Sequence, residues 1–71
     1  MKRIRLYGGF HNSPAITINV KNEKAVADWQ NGNIDFYDIL TDYQRARLEN
    51  HFCGIHGCTC GSFMRATKEV L

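Results

Sequence analysis

The chain has 71 residues and a formal net charge of +2. Hydrophobic residues make up 44% of it and charged residues 23%, a balance that is typical of a globular domain and excludes a disordered or fibrous chain. We therefore expect one small domain over residues 1–71. A chain this short buries only about 60% of its unfolded surface, so we expect a staple such as a metal ion, a disulfide or a partner.

Charge and targeting patterns further limit the classes of protein to which the chain can belong. The isoelectric point of about 8.6 is below the value of about 9 that marks a clear nucleic-acid-binding domain. No run approaches the roughly 18 apolar residues of a membrane span, so we expect no membrane partner. The basic N-terminus lacks the apolar stretch of a secretory signal, and three cysteines cannot all pair within one chain. We therefore expect a cytoplasmic protein with reduced thiols.

Two strands are predicted in the first twenty residues. Ile4 and Leu6 alternate with polar neighbours, as do Ile16, Ile18 and Val20, and this period of two is typical of half-buried strands. A pair of glycines lies between the two runs and favours a turn. The pattern predicts a β-hairpin.

Two short helices follow. Asn22 is a favourable N-cap for a helix over about residues 23–30, which an Asn-Gly pair ends. Thr41 and Gln44 have the spacing of a capping box, which predicts a second helix over about residues 42–52.

The second helix has two distinct faces. Leu48 and Phe52 are one turn apart, and Leu40 precedes them on the same side, which predicts the buried face. Arg45 and Glu49 are four residues apart on another face, a spacing at which they can pair.

The remaining segments complete the predicted fold. Residues 34–40 are interpreted as one helical turn, and a third strand is predicted over about residues 63–68, with a C-terminal helical turn as the alternative. The fold class is therefore α+β. A small β-hairpin and a third strand carry two short helices on one face, and a zinc-binding Cys/His loop staples them.

All three cysteines and one histidine fall between positions 53 and 60, in the pattern C-x-x-H-x-C-x-C. Thiolate and imidazole are the ligands that tetrahedral zinc prefers, and four of them close a structural site. The pattern predicts one Zn²⁺ ion held by Cys53, His56, Cys58 and Cys60.

The compactness of this segment leaves alternatives open. Zinc modules usually separate two ligand pairs by about a dozen residues or more, and a site closed within so short a segment is strained. His51, in the last turn of the second helix, is the alternative fourth ligand, and His11 in the hairpin loop is a third candidate. A disulfide such as Cys53–Cys58 is the rival interpretation. The simplest alternative is that the cysteines bind nothing and pack as small apolar side chains.

The first strand carries a candidate nucleic-acid surface. Lys2, Arg3 and Arg5 lie outward if the apolar residues of the strand face inward, and Arg65 and Lys68 would extend the stripe on a neighbouring third strand. Such a stripe can bind phosphates. Basic residues on an edge strand also serve simply to keep it soluble.

The segment from Trp29 to Tyr43 is a candidate protein-binding surface. It contains four of the eight aromatic residues, interspersed with aspartates. Exposed tyrosine and tryptophan are frequent hot spots of protein interfaces. The alternative is that these aromatic residues form the core. We favour that interpretation for Trp29 and Phe36, and we leave open whether Tyr37 and Tyr43 lie in the core or at the surface.

The sequence thus predicts a non-enzymatic, zinc-stabilised protein-interaction module. One alternative is a small nucleic-acid-binding protein that uses Lys2, Arg3, Arg5 and Arg65, and another is a thiol redox protein. About 70 residues leave little room for a catalytic pocket of several hundred Å³. In size and style the stretch over residues 40–62 is similar to small phage or prophage accessory or regulatory proteins, a likeness that assigns no residue role.

Overall fold

A computed structural model describes residues 1–9, 13–53 and 62–71. Its elements confirm the predicted α+β class. In chain order they are strands β1 (Lys2–Gly8) and β2 (Ser13–Val20), helix α1 (Glu23–Gln30), a 3₁₀ turn (Phe36–Ile39), helices α2 (Asp42–Cys53) and α3 (Ser62–Arg65), and strand β3 (Thr67–Val70).

The three strands form one antiparallel sheet in the order β2-β1-β3. The predicted hairpin is confirmed, and a third strand completes the sheet as predicted, although at later residues than expected. Ile4 lies opposite Ile18 on one side and Val70 on the other, and Leu6 lies opposite Ile16. Because residues directly opposite one another in a sheet share a face, these apolar side chains line the inner face, on which the helices pack.

The pairing of β1 with β2 is interrupted close to the turn. Leu6 pairs with Ile16 and Gly8 with Ser13, so two residues of β2, Pro14 among them, face a single residue of β1. This bulge lies on an edge strand, the position in a sheet where a proline without an N–H group is tolerated.

The core joins the inner face of the sheet to all the helical segments. Trp29 of α1 contacts Phe36 of the 3₁₀ turn with ring centroids 5.0 Å apart, and Phe36 lies 6.5 Å from Phe63 of α3. The interpretation of Phe36 as core is confirmed, and Trp29 packs half-buried against it. Among the described residues, the largest fully buried side chains are Phe52, Phe63, Ile4, Leu6, Leu48 and Val26.

The local signals for both long helices are confirmed. The side chain of Asn22 accepts a hydrogen bond from the backbone N–H of Ala25 (3.1 Å) at the start of α1. At the start of α2, Gln44 N–H donates to Thr41 Oγ1 and Thr41 N–H donates to Gln44 Oε1, both at 3.1 Å. Each helix therefore begins at the residue that its cap dictates.

The end of the chain combines the two alternatives considered for it. A strand over residues 63–68 is wrong, because a helical turn (α3) comes first and β3 begins only at Thr67. Phe63 and Ala66 are three residues apart and both are buried, a spacing that fits a helical turn and not an alternating strand.

The predicted pairing of Arg45 with Glu49 is also wrong. Arg45 Nη1 donates to Asp42 Oδ1 at 2.8 Å, while Nε and Nη2 donate to the carbonyls of Tyr37 (3.1 Å) and Leu40 (3.0 Å). The carbonyls at the end of the 3₁₀ turn attract the guanidinium toward the N-terminus of α2, away from Glu49. Arg45 thereby fixes the 3₁₀ turn to α2.

Helix α2 lies along the outer edge of β2 and is bonded to it near both of its ends. Gln44 Nε2 donates to the carbonyl of Asn19, and His51 Nε2 lies at the same distance, 2.7 Å, from the carbonyl of Pro14. Gln44 therefore acts twice, since its Oε1 closes the cap of α2 while its amide nitrogen binds the strand.

The Asn19 carbonyl is one that β1 leaves unpaired. Asn19 lies opposite Arg3, whose own carbonyl accepts a hydrogen bond from Leu71 N–H (2.9 Å) on the far side of β1. In an antiparallel ladder, alternate opposing residues turn their backbone groups away from each other. The hydrogen bond from Gln44 therefore satisfies an exposed sheet edge.

Replacing Gln44 separates its two roles. In Gln44→Glu a carboxylate oxygen can still accept from Thr41 N–H, but an oxygen replaces the amide that donates to Asn19. We expect the free energy of unfolding to fall by about 0.5–1.5 kcal/mol, the usual net contribution of one hydrogen bond, as measured by denaturant unfolding. Thr41→Ser, which keeps a capping hydroxyl, is the control. A Gln44→Glu chain as stable as the wild type would show that the bond to β2 contributes nothing.

Candidate functional site

Two of the predicted zinc ligands lie within the described residues. Cys53 is the last residue of α2 and is 7% exposed. His51 is half-buried and lies two residues earlier on the same helix. The other candidates, His56, Cys58, Cys60 and His11, lie outside the described residues. Within residues 1–9, 13–53 and 62–71, no three metal-ligating side chains cluster.

The hydrogen bond of His51 determines which ring nitrogen is available. The Pro14 carbonyl can only accept, so Nε2 carries the hydrogen and the neutral ring keeps its lone pair on Nδ1. The ring also meets Phe52 edge-on, with centroids 4.9 Å apart. Histidines that bind a metal commonly donate their second ring nitrogen to a carbonyl in this way. The same bond also has a structural role, because it holds α2 to β2.

The basic residues of β1 do not all lie on one face of the sheet. Lys2, Arg3 and Arg5 are all exposed, and Arg3 and Arg5 lie on the face opposite the helices. Lys2 lies opposite Val20 and shares the inner face with Ile4, so its predicted place in the outward stripe is wrong.

Arg5 Nη2 lies 2.6 Å from a carboxylate oxygen of Glu69, the residue directly opposite it on β3. Arg65 belongs to α3 and not to the sheet. The predicted stripe is therefore shorter than expected, and an acidic residue offsets one of its charges.

Lys68 is not part of this stripe, and its predicted contribution to it is corrected. It lies opposite Leu6, on the inner face, where Nζ donates to the carbonyls of Met64 (2.6 Å) and Ala66 (2.9 Å). The ammonium group also lies 5.1 Å from the centroid of the Phe36 ring. Burial lowers the pKa of Lys68 from its ordinary value of 10.5. The carbonyls at the end of α3 attract this side chain inward.

The aromatic segment divides between core and surface. Tyr37 is 46% exposed and Tyr43 is 74% exposed, so both tyrosines that the sequence left open are surface residues. The ring of Tyr37 is also held in place by neighbouring side chains. Its ring lies nearly parallel to Phe63 at 6.5 Å, and the guanidinium of Arg45 lies 4.3 Å from its centroid.

A groove of about 370 Å³ runs beside Tyr37 along α2. Arg45, Ala46 and Glu49 form the rest of its lining. Tyr43 is one turn before Ala46 on α2 and is not among the lining residues. Sequence reasoning identified Tyr37 but missed Arg45, Ala46 and Glu49 as site residues. Their positions about one turn apart on α2 were visible, whereas the contact of that helix face with the 3₁₀ turn was not.

Because comparisons with known proteins found no match, the interpretation of the site rests on this geometry. No protein-family model, no curated protein and no solved structure matches the chain. Of the helices in the described part of the chain, none is both long enough and apolar enough to cross a membrane.

The environment of Lys68 gives stability a defined pH dependence. Because its pKa is lowered in the folded state, the unfolded chain binds this proton more tightly. The contribution of Lys68 to stability therefore rises with pH between its lowered pKa and 10.5. We expect the free energy of unfolding of the wild type to increase relative to that of Lys68→Met across this interval. Lys24→Met, which removes an exposed lysine from α1, controls for the loss of one charge. A constant difference between wild type and Lys68→Met would contradict the assignment.

Proposed function

We propose that the chain is a non-enzymatic, zinc-stabilised module that binds another protein through the groove of Tyr37, Arg45, Ala46 and Glu49. The observation that carries the proposal is the combination of exposure and support at Tyr37. Nearly half of this side chain faces solvent, yet Phe63 and Arg45 hold its ring in place. A large side chain that is ordered before binding loses little conformational freedom when a partner arrives.

The backbone of Tyr37 is held as firmly as its ring. Arg45 donates to the Tyr37 carbonyl and to the carbonyl of Leu40, and Asp42 takes up a third donor of the same guanidinium. These bonds join the two walls of the groove, the 3₁₀ turn and α2. A groove whose walls are fixed to each other before binding suits recognition of a partner.

The zinc component is supported by the anchoring of the segment that carries the predicted ligands. Cys53 is buried, its neighbour Phe52 is 1% exposed, and Phe63 beyond the segment is fully buried. The residues on both sides of this segment are thus part of the core. A zinc ion bound by Cys53, Cys58 and Cys60, with His56 or His51 as fourth ligand, would connect α2 to α3. Its binding energy would add directly to the stability of a small core.

Two observations bear on the redox and enzymatic alternatives. Reactive thiols are usually accessible, whereas Cys53 is buried. The described groups with a clearly shifted pKa are Lys68 and Glu23, and neither lines the groove. For the described residues, both observations favour binding over catalysis, whereas Cys58 and Cys60 lie outside them.

The second candidate function is nucleic-acid binding by the outer face of the sheet. The observation that favours it is the placement of Arg3, Arg5 and Tyr7 in exposed alternate positions on β1, on the face that the helices leave open. The ion pair of Arg5 with Glu69 reduces the positive potential of this face. We therefore rank it after protein binding.

Metal content is the direct test of the zinc component. We expect elemental analysis of protein purified under reducing conditions to find one zinc ion per chain. A chelator should then loosen or unfold the domain, because metal binding and folding are coupled. His51→Gln and His56→Gln, compared for retained zinc, distinguish the alternative fourth ligands. Protein that is folded and free of zinc after reducing purification would refute this component.

Charge reversal separates the two candidate functions. In Arg3→Glu with Arg5→Glu, we expect retention on immobilised single-stranded DNA to be as weak as in the wild type, because the wild-type stripe is short. Tyr37→Leu is the matched change in the groove and leaves the sheet untouched. If the wild type binds the DNA with an affinity that falls steeply with salt, and charge reversal abolishes that binding, nucleic-acid binding replaces protein binding as the first candidate.

A further inference from the structure

The turn that ends α1 contains a dipeptide that is prone to chemical change. Among the asparagines of the chain, Asn31 alone is followed by a glycine, and both residues are exposed. The backbone nitrogen that follows an asparagine can attack the side-chain amide and close a succinimide ring. Glycine has no side chain to shield that nitrogen, so an Asn-Gly pair favours this reaction.

The structure holds the dipeptide in a hydrogen-bonded cap. Gly32 has a φ of 79°, and its N–H donates to the carbonyl of Trp29 at 3.0 Å. The N–H of Asn33 donates to the carbonyl of Asp28 at 2.9 Å. These two bonds form the Schellman motif with which many helices end. The nitrogen that would attack Asn31 is therefore engaged in one of them.

The backbone angle of Asn31 also keeps the reacting atoms apart. Its ψ is 0°, so the nitrogen of Gly32 eclipses the backbone nitrogen of Asn31. It therefore lies roughly 120° around the Cα–C bond from Cβ, the spacing of substituents on a tetrahedral carbon. Ring closure needs this nitrogen on the same side of the bond as Cβ. The hydrogen bond to Trp29 must break and the end of α1 must rotate before the ring can form.

We propose that Asn31 is a site of spontaneous deamidation and that the Schellman motif of α1 controls its rate. The nitrogen of Gly32 forms a bond to Asn31 Cγ, and the Cγ–Nδ2 bond breaks. The backbone proton leaves with the side-chain nitrogen as ammonia. Water then opens the succinimide at either of its carbonyls, which leaves a normal aspartyl linkage or an isoaspartyl linkage. No electrons are exchanged, and water is the only co-reactant.

The reaction changes the end of the helix. Either product has a carboxylate at the C-terminus of α1, where the helix dipole disfavours negative charge. The isoaspartyl linkage also adds a carbon to the main chain and so displaces the N–H groups of the Schellman motif from their carbonyls. Because Trp29 in the last turn of α1 contacts Phe36, we expect the reaction to loosen the contact between α1 and the 3₁₀ turn.

The test follows the full chain over time in mildly alkaline buffer. Peptide mass mapping detects the loss of ammonia and the uptake of water at position 31. We expect the folded wild type to react at least about tenfold more slowly than the same chain unfolded in guanidinium chloride, because only the opened cap reacts. Asn31→Gln, whose longer side chain cyclises far more slowly, is the control for the site. Equal rates in the folded and unfolded chain would overturn the inference, and so would an unfolded chain that does not react.

A pair of variants separates the cap from the stability of the whole domain. In Asn33→Pro the donor to the Asp28 carbonyl is lost, whereas Asn33→Ala keeps that N–H group. Neither variant alters the reacting dipeptide. We expect folded Asn33→Pro to deamidate about three- to tenfold faster than folded Asn33→Ala, because its cap opens more often. Equal rates in the two variants would contradict control by the cap.

Hydrogen exchange of the Gly32 amide in the wild type gives a second measure that needs no variant. Exchange requires only that the bond to Trp29 breaks, whereas ring closure also requires rotation at Asn31. Folding should therefore slow deamidation at least as much as it slows exchange of this amide. Deamidation that folding slows less than exchange would show that the ring closes without opening of the cap, and would overturn the inference.

Discussion

The attachment of α2 to the edge of β2 is the constraint on which the rest of the structure depends. Gln44 and His51 lie seven residues apart on one face of the helix, and each reaches a carbonyl of the strand at 2.7 Å. Leu48 lies between them on the same face and is fully buried. The two polar contacts thus lie on either side of an apolar one. Together they determine which side of α2 faces the core, and therefore which side forms the groove.

The same arrangement bears on where the proposed protein partner would bind. An exposed sheet edge invites pairing with other chains, and proteins protect such edges with prolines, bulges, covering helices or inward-pointing charges. Here β2 has Pro14 in a bulge and α2 beside it, and β3 is short and points Lys68 inward. Both edges are thus protected, which favours the surface formed by α2 and the 3₁₀ turn as the site of recognition.

The part of this account that could be predicted is the part set by neighbours in sequence. The cap at Asn22 and the box of Thr41 with Gln44 are local, and each defined the start of a helix correctly. The partner of Arg45 and the direction of Lys68 could not be predicted, because both depend on carbonyls that the tertiary fold brings near. Of the site, the exposed Tyr37 was a predicted candidate, whereas the groove beside it required the packing of α2 on the 3₁₀ turn.

Native-state hydrogen exchange tests the central claim, that α2 and β2 are stabilised as one unit, most directly. The amides of Leu48 and Phe52 report on α2, and that of Ile18 reports on the hairpin. The account predicts that all three open with the same free energy, and that Gln44→Ala lowers that free energy equally for all of them. Exchange of the α2 amides at a clearly lower free energy than that of Ile18, with the hairpin unaffected by Gln44→Ala, would contradict it.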